Sequence, residues 1–346
     1  MFRDPHIISE RRGALGLVTL DRPQALNALT HGMIRALAAQ LDAWRADDGV
    51  KAVAIRGAGP RAFCAGADIR ALAASAAARD GMAQDFLARE YRLNALIVAY
   101  PKPYVALLHG IAMGGGAGLS LHGRWRVADV GLDFAMPETG IGFVVDVGAS
   151  FFLPRCPGET GLYLALTGAR IGLGDAFAAG LVTHAIDAAR FDAVIERLAA
   201  GDDADRVLAA LSRKPAPGPL AEHRRRIDTI FSAATVEGIL ERLDRDGGDF
   251  ARETAQAIRA RAPLALKYTL RQMRQGRALP LADCLRMEYR LALRALDGHD
   301  FREGVRAALI DKDRAPKWNP ASLAAVPDAV IDACFASLGA AELSFD

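Results

Sequence analysis

The sequence is short of lysine, of cysteine and of any excess of charge. Only Lys51, Lys102, Lys214, Lys267, Lys312 and Lys317 carry an ammonium group; every other basic side chain is arginine. Lysine and arginine number 43 against 41 aspartates and glutamates, a net charge of +2. Such a balance creates no overall field for nucleic acid or an anionic membrane surface, so neither is an expected partner. The four cysteines, Cys64, Cys156, Cys284 and Cys334, are far apart and form no CxxC pair. That argues against zinc and dithiol motifs and against a disulfide-built scaffold, and predicts buried free thiols in a reducing compartment. The most apolar window, Tyr104 to Leu121, contains His109 and five glycines, and lacks the uninterrupted run of a membrane span. At the N-terminus a strand-like alternation begins almost at once, with no apolar leader core before it. Together these absences predict a cytoplasmic protein.

What is present is an ordinary globular composition: 346 residues, 51% apolar and 24% charged. That length allows one large domain or two modest ones. Ile7–Ser9 and Leu15–Leu20 alternate as two strands joined by a polar turn. Thr30 can cap a helix to about Arg45, whose Met33, Ile34, Leu37, Leu41 and Trp44 share one face. Strand patterns at 52–56, 104–108, 125–129 and 132–135 alternate with helical ones from 68, at 82–98, 161–166 and 175–179. This is the pattern of an α/β core. After about residue 190 strand-like runs become rare, and Lys214-Pro-Ala-Pro-Gly-Pro219 breaks a helical texture. The expected division is a core at 1–190 and a helical C-terminal region at 191–346. In the latter, Phe301, Val305, Ala308 and Leu309 share a face behind Asp300 as a cap.

Two glycine motifs mislead. Gly57-Ala-Gly59-Pro-Arg-Ala62 fits a loose dinucleotide fingerprint, but Pro60 and the residues after it open no helix at the required point. Gly118-Leu-Ser120-Leu-His122 misses the nucleophile elbow at its last residue. His109 and His122 lie in apolar company and read as structural.

More informative are two glycine-containing turns that each lead from a strand into a helix: Phe63-Cys-Ala-Gly-Ala-Asp68 and His109-Gly-Ile-Ala-Met-Gly-Gly-Gly116. The first N–H groups of a helix lack intrahelical partners. Two such turns side by side would aim two donors at one oxygen, the arrangement of an oxyanion hole. The competing reading is that the glycines only let helices pack closely on a sheet.

These two turns and Met136-Pro-Glu138-Thr-Gly-Ile-Gly142 resemble the crotonase (enoyl-CoA hydratase/isomerase) superfamily. Within it, Pro101-Lys-Pro-Tyr104, Asp146-Val-Gly148, Met287-Glu-Tyr-Arg290, Gly298-His-Asp-Phe301 and Asp311-Lys-Asp313 are most similar to the 3-hydroxyisobutyryl-CoA hydrolases, nearly end to end. The resemblance implies a crotonase-type α/β spiral of ββα units, with C-terminal helices covering the acyl-CoA site. It implies hydrolysis of 3-hydroxyisobutyryl-CoA to 3-hydroxyisobutyrate and coenzyme A in valine breakdown. No metal or other cofactor is implied, coenzyme A being part of the substrate, and a homo-oligomer is compatible with it.

By the same resemblance, the backbone N–H groups of Ala67 and Gly115 form the oxyanion hole. Glu138 and Asp146 are the catalytic acids, and Glu90, Gly115, Glu138 and Asp146 contact substrate. Glu138 would attack the carbonyl or activate water, and Asp146 would hold the 3-hydroxyl. A hydratase needs a first glutamate at a position that here is Gly118. The hydrolases usually have proline before the second acid and a second glycine after Gly148; here these are Val145 and Ala149. The rival readings are an enoyl-CoA hydratase or isomerase and a non-catalytic acyl-CoA-binding protein. On composition alone, Glu138 would be a helix-capping or surface carboxylate and Asp146 a turn residue.

Overall fold

A computed structural model describes residues 2–345. Among these residues nine strands form two sheets: β1 (Ile7–Arg12), β2 (Leu15–Leu20), β3 (Ala52–Gly57), β4 (Ala62–Cys64), β5 (Tyr104–Leu108), β6 (Ile111–Met113), β7 (Trp125–Ala128), β8 (Asp133–Ala135) and β9 (His184–Ala185). The larger sheet has the order β1-β2-β3-β5-β7-β9 and the smaller β4-β6-β8. β1 and β2 form the expected hairpin, with Arg12 opposite Leu15. All later pairings in the larger sheet are parallel.

The order carries the repeat. In β3-β4, β5-β6 and β7-β8 the first strand joins the larger sheet, the second joins the smaller, and helical chain follows. Each repeat therefore advances one place in both sheets, which is the predicted succession of ββα units. Gly57 to Ala62 joins β3 to β4 and not to a helix, so the dinucleotide pattern there is coincidental.

Local chemistry sets many of the boundaries. The side chain of Thr30 accepts from Met33 N at 3.2 Å and starts the helix His31–Ala46, whose predicted apolar face is buried. Pro101 and Pro103 lie between the helix Met82–Val98 and β5. In the C-terminal region the expected register is corrected. Gly298, not Asp300, is the N-cap of the helix His299–Val305, and Asp300 is buried in its first turn. A π-helical turn, Arg306–Ile310, follows. Its wider turn buries Ala307 and leaves Ala308 exposed, which breaks the 3.6-residue face drawn from the sequence.

The chain divides into two compact units that interleave along the sequence. The first holds the chain up to Asp68, Arg89–Phe134 and Ile171–Pro219; the second holds Ile69–Ala88, Ala135–Arg170 and the chain from Leu220 on. No strand follows β9 among the described residues, which matches the change of texture near 190. The first unit nevertheless continues past that point. Val194, Ile195, Leu198, Val207, Leu208 and Leu211 of the helices Phe191–Ala199 and Ala204–Leu211 pack on Leu15, Leu17, Ala54, Val105, Leu107 and Val127 of the larger sheet. Each such aliphatic side chain contributes roughly 1.5–3 kcal/mol on burial, so these helices complete the sheet's core. No helix among the described residues is long and apolar enough to cross a membrane.

Candidate active site

In the first unit the candidate groups are backbone amides. Residues 26–29 run beside 65–68: Ala65 N donates to Leu26 O, Leu29 N to Gly66 O and Asp68 N to Leu29 O, at 2.8–2.9 Å. Leu29 and Ala67 form a parallel bridge. Successive amides of an extended chain point to opposite sides, so the Ala67 N–H faces away from Leu29. Arg22 ties the two segments together, donating to Ala28 O at 3.2 Å and pairing with Asp68 at 2.9 Å.

Gly115 opens the short helix Gly115–Ser120 after Gly114, whose φ of 49° and ψ of −121° turn the chain from β6. Ala117 N and Gly118 N both donate to Gly114 O, and the Gly115 amide precedes this ladder. A Cβ on Gly115 would stand 3.4 Å from Ala67 N and 3.0 Å from Leu29 Cδ1, and would collide with Glu90 Oε1. Ala67, Gly115 and Glu90 are thus brought together, and residue 115 must be glycine for the backbone to come so close. Glu90 is buried on the helix Met82–Val98. Gly118 is buried in the helix that Gly115 begins, and offers no carboxylate.

In the second unit the candidate groups are side chains. Glu138 begins the 3-10 turn Glu138–Ile141 directly after Pro137, and is buried. Among the described residues its Oε2 has no hydrogen-bond partner. Burial raises its carboxyl well above the ordinary glutamate range, and the charges of Asp146 and Glu288 push the same way. Asp146 is buried in the loop that follows, and its carbonyl accepts from Ala149 N at 3.0 Å. Val145 and Ala149, the two departures from the hydrolase pattern, are fully buried. Glu138 is not the surface carboxylate that composition alone suggests; Asp146 does open a turn, as composition suggests, but is buried there.

Two residues of this region were not assigned a role from sequence. Gln272 Nε2 donates to Val145 O at 2.6 Å. Glu288, fully buried on the helix Leu281–Asp297, accepts from Gly148 N at 2.6 Å, Ser150 N at 2.8 Å and Ser150 Oγ at 2.5 Å. A signal was available. Glu288 falls on the same face as Cys284, Leu285, Leu291 and Ala292, so a carboxylate interrupts an apolar stripe.

Several other candidates have structural partners. Nδ1 of His109 lies 2.8 Å from Asp129 Oδ2. Lys102 closes the end of the helix His31–Ala46 through Trp44 O and Asp47 O, and Lys267 pairs with Glu237 at 3.0 Å. All four cysteines are free and buried. Burial pushes the Cys64 and Cys156 thiols up to about 12, which keeps them inert. Among the described residues no group of three or more His, Cys, Asp or Glu side chains is arranged to hold a metal ion.

A family model described as enoyl-CoA hydratase/isomerase matches residues 15–335. The chain belongs to the enoyl-CoA hydratase/isomerase family. The interleaved ββα repeat is accordingly the crotonase fold. The chain is 46% identical to the mitochondrial 3-hydroxyisobutyryl-CoA hydrolase of Rattus norvegicus, over 98% of this chain and 91% of that one. Among solved structures it is similar to a carnitinyl-CoA dehydratase from Mycobacterium thermoresistibile, with a TM-score of 0.95 and 43% identity over 99% of both chains. It is also similar to an enoyl-CoA hydratase from Rhodobacter sphaeroides, with a TM-score of 0.93 and 40% identity over 98% of this chain and 100% of that one. One expectation is corrected. The cytoplasmic reading conflicts with the curated hydrolases that the chain resembles, which are mitochondrial. Its physical basis was too weak: reduced thiols suit every reducing compartment, and a fold carries no address.

Proposed function

We propose that this member of the enoyl-CoA hydratase/isomerase family hydrolyses the thioester of a short 3-hydroxyacyl-CoA, with 3-hydroxyisobutyryl-CoA as the first candidate substrate. The observation that carries the reading is the pattern of acids. Position 118 is glycine where a hydratase needs its first glutamate, whereas Glu138 and Asp146 are retained and buried. The names of the curated relatives support the same chemistry and substrate.

The reading assigns the Ala67 and Gly115 N–H groups to the thioester carbonyl oxygen. Water adds to the carbonyl carbon, the oxygen becomes an oxyanion, and two fixed donors stabilise it more than the starting carbonyl. Glu138 takes the proton from that water. The C–S bond then breaks, and the proton passes to the departing thiolate, leaving 3-hydroxyisobutyrate and free coenzyme A. A carboxyl raised by burial suits both steps, because its proton affinity lies closer to that of the groups it serves. Direct attack by Glu138 to give an anhydride, followed by its hydrolysis, has the same balance. Asp146 accepts a hydrogen bond from the substrate's 3-hydroxyl, and Glu90 contacts the acyl part. The reaction balances with water alone, so coenzyme A enters only as part of the substrate. Its place in metabolism would be valine breakdown.

The names of the two structural relatives favour a second reading, dehydration or hydration at the acyl carbons. One experiment separates the two. Purified protein is given 3-hydroxyisobutyryl-CoA and crotonyl-CoA, with free thiol and enoyl absorbance followed in parallel. Thiol release that disappears in Glu138→Ala supports the hydrolase. Loss of enoyl absorbance without thiol release overturns it, and binding without either reaction identifies a non-catalytic acyl-CoA-binding protein.

A further inference from the structure

The loop that carries Asp146 is strained and is held from outside itself. Val147 has φ of 55° and Gly148 φ of 84°, two consecutive residues in the left-handed region. Glycine tolerates this conformation, but a β-branched valine does not adopt it without cost. Such a segment persists only where its surroundings over-determine it. Here the surroundings are two side chains from distant helices. Gln272 of Pro263–Gly276 holds the carbonyl before Asp146, and Glu288 of Leu281–Asp297 receives the Gly148 and Ser150 amides after it.

We propose that Glu288 is the positioning residue for Asp146: its carboxylate, receiving three hydrogen bonds from Gly148 and Ser150, holds the left-handed turn that presents the Asp146 side chain. The role rests on the reading of Asp146 as a substrate-binding acid. It also explains why a carboxylate sits in an apolar helix face. Both oxygens are used, one by Gly148 N and the other by Ser150 N and Oγ, and only a group with acceptors at both ends can satisfy all three. The titratable groups whose charges act in the same pocket are Glu138, Asp146 and the Cys284 thiol. Glu288 therefore also contributes charge. Its ionised form disfavours ionisation of Glu138, so neutralising it makes Glu138 easier to deprotonate.

The test is Glu288→Gln, with Ser150→Ala as a gentler variant that keeps the carboxylate and removes one donor. A glutamine turns an N–H2 group toward one set of amides, so the turn loosens. We expect E288Q to lower kcat for 3-hydroxyisobutyryl-CoA about tenfold or more with KM within about threefold, and to move the acid limb of the kcat/KM profile to lower pH by about half a unit. S150A should lower kcat about two- to fivefold. Amide hydrogen exchange in the segment 145–152 should accelerate about tenfold in E288Q without any substrate. A hydrolysing wild type whose limb, kcat and exchange are unmoved by both substitutions overturns the positioning role. A wild type that releases no thiol overturns the functional reading instead, and the exchange measurement then still decides whether Glu288 holds the loop.

Discussion

The two units carry candidate groups made of different material. In the first unit the candidate groups are backbone: the Ala67 and Gly115 amides, set by a parallel strip and a glycine turn. In the second they are side chains: Glu138 and Asp146, with Glu288 and Gln272 behind them. Backbone donors are insensitive to pH and tolerate substitution except where a Cβ intrudes. Buried carboxylates depend on each other's charge and are sensitive to pH and to every neighbour. The first unit thus offers neutral candidate donors, and the second a set of coupled acids.

The contrast can be broken at its strongest point first. Glu138→Gln removes the proton acceptor and should lower kcat about a thousandfold with little change in KM, measured as thiol release. A residual rate within tenfold of wild type would take the central role from Glu138. Gly115→Ala tests the backbone half. The added Cβ collides with Glu90 and crowds Leu29 and the Ala67 amide. A loss of about a hundredfold in kcat is expected in a chain that still folds by circular dichroism; near-normal turnover would mean that this amide does not serve the oxyanion.

The pH behaviour sharpens the difference further. Because burial raises Glu138, kcat/KM should fall on acidification with a midpoint above 4.5, the ordinary glutamate value; a midpoint at or below it would contradict the geometry.

The legibility of the site follows the same division. The glycine turns at 63–68 and 109–116 were visible because a strand, a turn and a helix follow one another within a few residues. The helix Met82–Val98 and β5 were visible for the same reason, since periodicity and proline are local signals. Glu138 and Asp146 were legible only through resemblance to a family, because nothing in a short window tells a buried acid from a surface one. Glu288 stood in a noted motif without a role. Its partners Gly148 and Ser150 are about 140 residues away, and no window contains both. The register after Asp300 was misplaced because a π-helical turn leaves no mark in apolar spacing.

By itself, then, the sequence determined the alternation of strands and helices, the turns that free two backbone amides, the absence of a carboxylate at position 118 and the family. Each of these depends on neighbours in the chain or on residue identity alone. Tertiary structure decided which acids are buried, which charges raise one another, and which distant helices hold the strained turn after Asp146. Those are properties of desolvation and of contacts between segments far apart in sequence, and they exist only once the chain has brought those segments together.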